Sequence, residues 1–435
     1  MTARTRETPI LAVDFGSSSV RVAAASIAPN ERVQVQYMGE APTSGAIENG
    51  IIQDRRNAVD VFNRAVYSAL GRTGHRPVEV FASAAFLEKA SIIKDGRVQI
   101  QDGVVTGELL EEAREAAKQQ CLEPAMCCLR SLTAEEWKID DQRVANPIGI
   151  RGNVLRTRLH FTQIPMMAVE NIRTLIESAG FQLEDLVFAP IAAALGCITD
   201  EDKIMGVAVV DLGMKHTSLA VYQGRSLQGA CTSDMGTELI IRDLMAITNC
   251  HENEARKLLF EYGLIHAPLD AEENTMDAAI NSVEDLPSIR RHSQDRTAVK
   301  IHTGTRDIDR ATISSVISAR VEEILRKILS NVLNDPAQRL SLNRGITLTG
   351  GGANIPRIAD FVAAQYKLPV RIGLPLEMQG WLPSLQTPTY TPLAGIIAHA
   401  AHYEKDRADG LLGGNHAARS GGTWTKLVKW IGNFI

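Results

Sequence analysis

Two short segments of this chain share one form, and they lie about two hundred residues apart. In each, an apolar run reaches Asp-x-Gly, turns, and resumes as a second apolar run. Residues 10–15 pass through Asp14-Phe15-Gly16-Ser17-Ser18-Ser19 into 20–25, and residues 206–212 pass through Asp211-Leu212-Gly213-Met214-Lys215-His216-Thr217 into 218–222. An apolar run bounded by turn residues reads as a buried strand. Each segment is therefore predicted to be a strand–turn–strand hairpin, unlike the strand-to-helix passage of a P-loop. Such a recurrence suggests an internal duplication on the scale of a domain, and 435 residues are more than one compact core usually accommodates.

Between and after these hairpins the patterning changes several times. Residues 55–70 have helical periodicity. From residue 78 to about 165 a strand (78–83), a second near Val98, a helix (106–120) and a clear strand (154–161) look like a self-contained α+β module. Helices are expected at 169–179, 238–248 and 252–262, and 186–198 is a further apolar stretch. Residues 265–305 are polar and poorly periodic, which reads as a loop insertion. A long helix over 310–333 leads to a strand at 345–348, and 392–403 reads as a last packed helix. Residues 404–422, charged and then glycine-rich, read as a flexible linker.

Composition narrows the function. A net charge of −5 argues against nucleic acid as the main partner. The six cysteines, at 121, 127, 128, 197, 231 and 250, include no C-x-x-C pair and no zinc-ligand spacing, and read as small buried residues in a reducing compartment. The N-terminus passes from charged residues straight into a strand without the apolar core of a signal peptide. The weakly polar run 187–198 is too short to span a bilayer. A soluble chain that is not exported is the expectation.

The turns carry the chemistry. Backbone N–H groups at a turn of small residues such as Gly16 to Ser19 can cradle phosphates. The Asp14 carboxylate beside them suits a Mg²⁺ held through water. The turn at Asp211 and Gly213 repeats the arrangement, and a third, Leu348-Thr349-Gly350-Gly351-Gly352-Ala353-Asn354, would let a nucleoside lie against main chain. The letters of Asp14-Phe15-Gly16 do not make a protein kinase, since the companion loops are missing.

The last segment speaks for itself. In Thr423 to Ile435, the apolar Trp424, Leu427, Val428, Ile431, Phe434 and Ile435 recur at three- and four-residue steps and form one helical face. Lys426, Lys429 and Asn433 take the polar side, and Trp430 suits the headgroup boundary, with Thr423 as N-cap. A basic amphipathic helix behind a loose linker reads as an anchor lying in the surface of an anionic membrane.

Taken in this order, the three turns resemble the two phosphate loops and the adenosine loop of the actin superfamily, which includes actin, the DnaK-type chaperones, the sugar kinases, MreB and FtsA. The chain resembles the FtsA family over nearly its whole length. Glu48-Asn49-Gly50-Ile51-Ile52 with Asp54, Asn146-Pro147-Ile148-Gly149-Ile150-Arg151-Gly152 with Leu155, and the terminal helix add to the match. The resemblance implies an α/β, actin-like (ribonuclease H-type, duplicated) two-lobed ATPase fold, with an inserted α+β module known as domain IC and a C-terminal amphipathic helix. It implies subdomain IA over 1–83 and 166–200 with a closing helix at 386–403. Domain IC would cover 84–165, subdomain IIA 201–245 and 345–385, and IIB 246–344. The linker and membrane helix would be 404–422 and 423–435.

It also implies roles. Asp14 and Gly16, Ser17, Ser18 and Ser19 would meet Mg²⁺ and the phosphates of ATP. Asp211, with Gly213, Met214, Lys215, His216 and Thr217, would face them from the second lobe. Gly350, Gly351 and Gly352 would pack on the adenosine, and Arg256 and Lys257 would line the adenine and ribose. Ala189 stands where the chaperones carry Glu to orient the attacking water, so ATP is expected to act as a switch with slow turnover at most. Arg310 and Arg320 match basic positions that receive the C-terminal peptide of the tubulin-like FtsZ. The expected function is a self-associating cell division protein that tethers FtsZ filaments to the inner face of the bacterial cytoplasmic membrane at the septum and recruits later division proteins. A PilM-like pilus assembly protein and a small-molecule kinase of the same superfamily are the alternatives.

Overall fold

The computed structural model describes residues 8–408, apart from 29–31, 49, 72–78, 87–90, 122, 124, 131–135, 265–299 and 304–305. The first hairpin forms as expected. β1 (Thr8–Phe15) and β2 (Ser19–Ile27) run antiparallel, with Asp14 opposite Arg21 and Phe15 opposite Val20. β3 (Val33–Pro42), whose mixed burial gives no continuous apolar run, extends the meander. A small hairpin, β4 (Ile47–Glu48) and β5 (Ile51–Ile52), leads to α1 (Arg55–Leu70). The Asp54 carboxylate caps α1 by accepting from the Asn57 N–H at 3.0 Å. The apolar stripe of α1, including Val61, Phe62 and Ala65, packs into the core. β6 (Glu79–Ala84) lies parallel to β1 with Val80, Phe81 and Ala82 wholly buried. That strand, grouped by pattern with the inserted module but placed in subdomain IA by the resemblance, belongs to the first sheet.

The module that follows has its own sheet and core. Its elements are β7 (Ile92–Gln99), α2 (Gly107–Gln119), β8 (Met126–Arg130), β9 (Glu136–Ile139), β10 (Gln142–Val144) and β11 (Val154–Pro165). The order is β10-β9-β11-β7, with β8 pairing further along β11. Leu110 and Ala113 of α2 pack with Trp137, Ile139 and Leu155. The chain then returns through α3 (Met166–Ser178) to β12 (Gln182–Phe188), which completes the first sheet as β12-β6-β1-β2-β3, and enters α4 (Ala189–Leu195).

The second lobe repeats that topology. It comprises α5 (Asp200–Met205), β13 (Val207–Leu212), β14 (Thr217–Gln223), β15 (Ser226–Ser233), α6 (Thr237–Thr248) and α7 (Glu252–Tyr262). After these come β16 (Lys300–Thr303), β17 (Arg306–Asp309), α8 (Arg310–Leu333), α9 (Pro336–Ser341), β18 (Ile346–Thr349), α10 (Ile358–Tyr366) and β19 (Val370–Ile372). The sheet order β15-β14-β13-β18-β19 has the same pairing sense as β3-β2-β1-β6-β12: two antiparallel neighbours, then two parallel ones. The duplication suggested by the two turns is therefore one of topology. The loop reading of 265–305 fails at its end, because β16 pairs antiparallel with β17. Residues 265–299 lie outside the described residues.

α11 (Thr391–Ala408) closes the fold. It continues past Tyr403, so the linker expected from 404 does not begin there: Arg407 is held by Glu404 at 3.2 Å and by Glu79 at 3.6 Å. The remainder of the linker and the terminal helix lie outside the described residues. α11 crosses α4 at backbone contact. A Cβ on Gly395 would stand 1.6 Å from the Ala192 carbonyl oxygen, and one on Gly196 2.0 Å from that of Thr391. Alanine ordinarily stabilises a helix interior by about 1 kcal/mol over glycine. Here the sign reverses: Gly395→Ala is expected to destabilise by about 2–4 kcal/mol, because the crossing must open. A denaturant titration checks this, and a gain in midpoint would contradict the close crossing.

β13 and β14 are buried on both faces, which is why they read as continuous apolar runs. Val207, Val209, Ala220 and Tyr222 belong to the first-lobe core, while Ala208, Val210, Leu212, Leu219 and Val221 belong to the second. Among the described residues no helix is long and apolar enough to cross a membrane.

Candidate functional site

The two Asp-x-Gly turns and the Gly350 turn open on one cleft between the lobes. Its wall includes Asp14, Phe15, Gly16, Ser17 and Ser18 from the first lobe, and Asp211, Gly213, Met214, His216, Arg256, Gly350 and Gly351 from the second. Ala189 is also at the wall, so neither a carboxylate nor an amide stands at that position.

Asp14, at the end of β1, is buried. Its Oδ1 accepts from Ser83 Oγ at 2.9 Å, and its Oδ2 lies 3.4 Å from Arg21 Nη1. Burial pushes its pKa up, with the Arg21 guanidinium pulling in the other direction. Asp211, at the matching point of β13, is pushed up to about 7, first by burial and then by the charge of Asp14, with Arg21 opposing. Two desolvated carboxylates thus repel each other across the cleft, an arrangement that a cation would relieve. Among the described residues no cluster of three or more His, Cys, Asp or Glu forms a metal cage. A divalent ion with few protein ligands, keeping its own waters, fits this donor set; Mg²⁺ behaves in that way.

The turns are held by main chain. Thr43 Oγ1 donates to the Gly16 carbonyl at 3.1 Å, and the Thr43 N–H donates to that of Ser18 at 3.0 Å. In the second turn the Gly213 N–H donates to the His216 carbonyl at 2.9 Å, and the N-terminus of α6 donates to Gly213 and Met214 through Thr237 at 3.0 Å and Glu238 at 2.9 Å. His216 is buried, and its imidazole pKa is lowered to about 4, so it is neutral. In the third turn the Gly350 N–H donates to the Pro388 carbonyl at 3.0 Å. A Cβ at Gly351 would meet nothing within 4 Å, so the main chain there stands open.

Other expected residues lie elsewhere. Ser19 is in β2 and Thr217 is buried in β14, where its hydroxyl donates to the Met235 carbonyl at 2.7 Å. Gly352 packs behind the turn, where a Cβ would stand 2.7 Å from Leu212 and from Thr237. On α7, Arg256 reaches the cleft while holding Glu252 at 2.8 Å, and Lys257 is exposed and is not part of the cleft wall. Lys215 turns out of the cleft to pair with Glu48. On α8, Arg310 donates to the Tyr262 carbonyl at 3.1 Å. Arg320 forks onto Asp243 at 2.7 and 3.0 Å and also reaches Glu323 at 2.6 Å, so its guanidinium is already engaged within the chain.

Several cleft residues escape a reading by motif: Arg21, Ala85, Thr237, Phe260, Thr389 and Pro392. Arg21 had a signal. It is a lone charge in a strand buried along its length, and hairpin register alone sets it opposite Asp14. Its second amino group lies 3.3 Å from Glu40, whose other oxygen accepts from Tyr390 OH at 2.7 Å, and its guanidinium lies over the Tyr390 ring at 5.4 Å. The arginine therefore links β1, β3 and the approach to α11 beneath the first turn.

Comparison with known proteins agrees with this architecture. A family model described as cell division protein FtsA matches residues 208–395. The chain is 27% identical over 426 residues to the cell division protein FtsA of Neisseria meningitidis, covering 98% of each. It is 23% identical over 435 residues to that of Escherichia coli K12, covering 97% of each. Among solved structures it is similar to one described as a PilM-PilN type IV pilus biogenesis complex (TM-score 0.61, 16% identity, 91% of this chain and 99% of that one). It is also similar to MreB5 of Spiroplasma citri bound to ADP (TM-score 0.51, 13% identity, 92% and 98%). The structural likenesses carry the fold alone, which is actin-like and two-lobed. The sequence likenesses run from end to end under a single description: along its whole length the chain is similar to cell division proteins FtsA.

Proposed function

We propose that this chain binds ATP with Mg²⁺ between its lobes and works as a slowly hydrolysing switch in cell division. In this reading it self-associates, binds the C-terminal peptide of FtsZ and ties FtsZ filaments to the cytoplasmic face of the membrane, where later division proteins join. The observation that supports it best is the meeting of Asp14, Asp211 and the Gly350 turn on one cleft. Turn N–H groups would hold the phosphates, Asp14 and Asp211 would orient the waters of Mg²⁺, and Gly350 and Gly351 would lie against the nucleoside. Ala189 itself carries no group to orient an attacking water, hence the slow turnover in this reading. The division into IA, IC, IIA and IIB remains part of this reading, supported by the two sheets and by the module inserted between β6 and β12. Arg310 and Arg320 stay the proposed peptide contacts, and a peptide carboxylate at Arg320 would have to displace Asp243. The pilus reading has the fold likeness in its favour, whereas the end-to-end sequence relatives are division proteins.

Nucleotide titration with and without Mg²⁺ tests this reading. With the cleft empty, the Asp211 carboxyl holds its proton up to pH of about 7. Binding of Mg-ATP must then release that proton, so affinity is expected to rise as pH climbs toward 7, by at most about tenfold per unit, and to level off above. The stability of the empty fold runs the other way. The native carboxyl binds its proton more tightly than the unfolded one, so its contribution declines as pH rises toward 7. Asp211→Asn should flatten both profiles and remove most of the Mg²⁺ dependence. Binding indifferent to Mg²⁺, or turnover of about ten per second as in dedicated enzymes, would overturn the switch.

A further inference from the structure

Lys215 lies in the second turn between two cleft residues, Met214 and His216, yet its ammonium reaches the other lobe. Its partner there is Glu48, at the end of β4, and Glu238 Oε2 of its own lobe lies 4.0 Å away. Both ends of the Glu48 pair are anchored close to the chemistry. On the first-lobe side the Ala46 N–H donates to the Thr43 carbonyl at 2.9 Å, and Thr43 in turn holds Gly16 and Ser18. The β4–β5 hairpin is also seated tightly: a Cβ on Gly50 would stand 2.1 Å from the carbonyl oxygen of Ala85, itself a cleft residue. On the other side Lys215 is part of the second turn. The pair therefore joins the two Asp-x-Gly turns by a short and stiff route across the mouth of the cleft.

The surroundings give this ion pair weight and a second state. Lys215 and Glu48 side chains are 20% and 33% exposed, so the pair is less screened than one at an open surface. Glu238 is fixed independently by Arg242 at 2.9 Å. When the lobes part, Lys215 can move fully onto Glu238 and is not left as a bare charge. Two discrete partners for one ammonium make a two-position element.

We propose that the Glu48–Lys215 pair is a latch between the lobes that sets how fast the cleft opens and releases its nucleotide, with Lys215 passing to Glu238 in the open state. This rests on the nucleotide reading above. Lys215 and Glu48 act as positioning residues, through closure and not through contact with phosphate.

The test is a double-mutant cycle on the full chain, reading dissociation of a fluorescent ATP analogue chased by unlabelled ATP. Lys215→Ala and Glu48→Ala should each speed release by about fivefold, as for a partly screened pair. The double variant should release no faster than either single one. An unchanged rate in Glu48→Ala with a faster one in Lys215→Ala would mean that Lys215 acts on phosphate directly, and the latch is wrong. Additive effects would also overturn it. A distance measurement between labels on the two lobes tests the latch without nucleotide: Glu48→Ala should populate a longer separation, and an unchanged distribution would contradict it. Should the analogue not bind the native chain at all, the nucleotide reading fails, and the label distances still decide the latch.

Discussion

Gly350→Ala is expected to abolish saturable nucleotide binding at concentrations that fill the native protein, and to lower stability by about 3–5 kcal/mol. Two separate costs meet at this residue. Its backbone, at φ 80° and ψ 178°, lies in a region open essentially to glycine alone. The added Cβ would also stand 2.0 Å from Asp211 Oδ1 and 2.8 Å from the Leu212 carbonyl oxygen. The turn must therefore move, and Asp211 must move with it. Gly351→Ala is the matched control, since a methyl there meets nothing within 4 Å and the residue has no positive φ. Denaturation midpoints and equilibrium titrations of the two variants give the comparison. Equal behaviour of the pair would show that the third turn is not built around Asp211 as described.

The second large effect is expected at the membrane. Deleting 423–435 should abolish co-sedimentation with anionic vesicles, while Trp424→Glu or Ile431→Glu should weaken it by about tenfold to a hundredfold, the value of one large buried apolar side chain. As a helix, at about 1.5 Å per residue, the segment would reach only about 20 Å, short of the roughly 30 Å hydrocarbon core, and so would lie in the interface. Lys426 and Lys429 would add about 1 kcal/mol each near an anionic leaflet. One such helix binds reversibly, and firm attachment would need several acting together through self-association. Nucleotide binding should be untouched in all three variants. Vesicle binding that survives the deletion would place the anchor elsewhere.

Much of this fold was legible where burial is two-sided or periodic. The apolar runs ending at Asp14 and Asp211 announced both hairpins, and α1, α7 and α8 fell on their predicted spans. β3 and β15 were not legible, because their outer faces are partly exposed and their polar residues break the alternation. β19 is a strand of only three residues, too short for any periodicity. In the cleft, glycine and aspartate were readable because turn geometry and charge burial restrict which residues can serve. The direction of long side chains was not. Lys215 leaves the cleft for Glu48, and Arg320 is taken by Asp243, a residue 77 positions away in sequence. Both outcomes depend on tertiary neighbours that spacing along the chain does not reveal. Arg21 was the one such residue that hairpin register alone would have placed.

The strands β13 and β14 show one face to each core. The lobes are thus two rooms divided by one inhabited wall, and neither room can be built without it. Severed from the rest of the chain, the second lobe would leave Val207, Val209, Ala220 and Tyr222 facing water where α4 and the first lobe now cover them. Hydrophobic surface of that kind drives aggregation. The lobes are accordingly not separable along this wall, and a gene for this protein cannot be cut there as it could at a true linker.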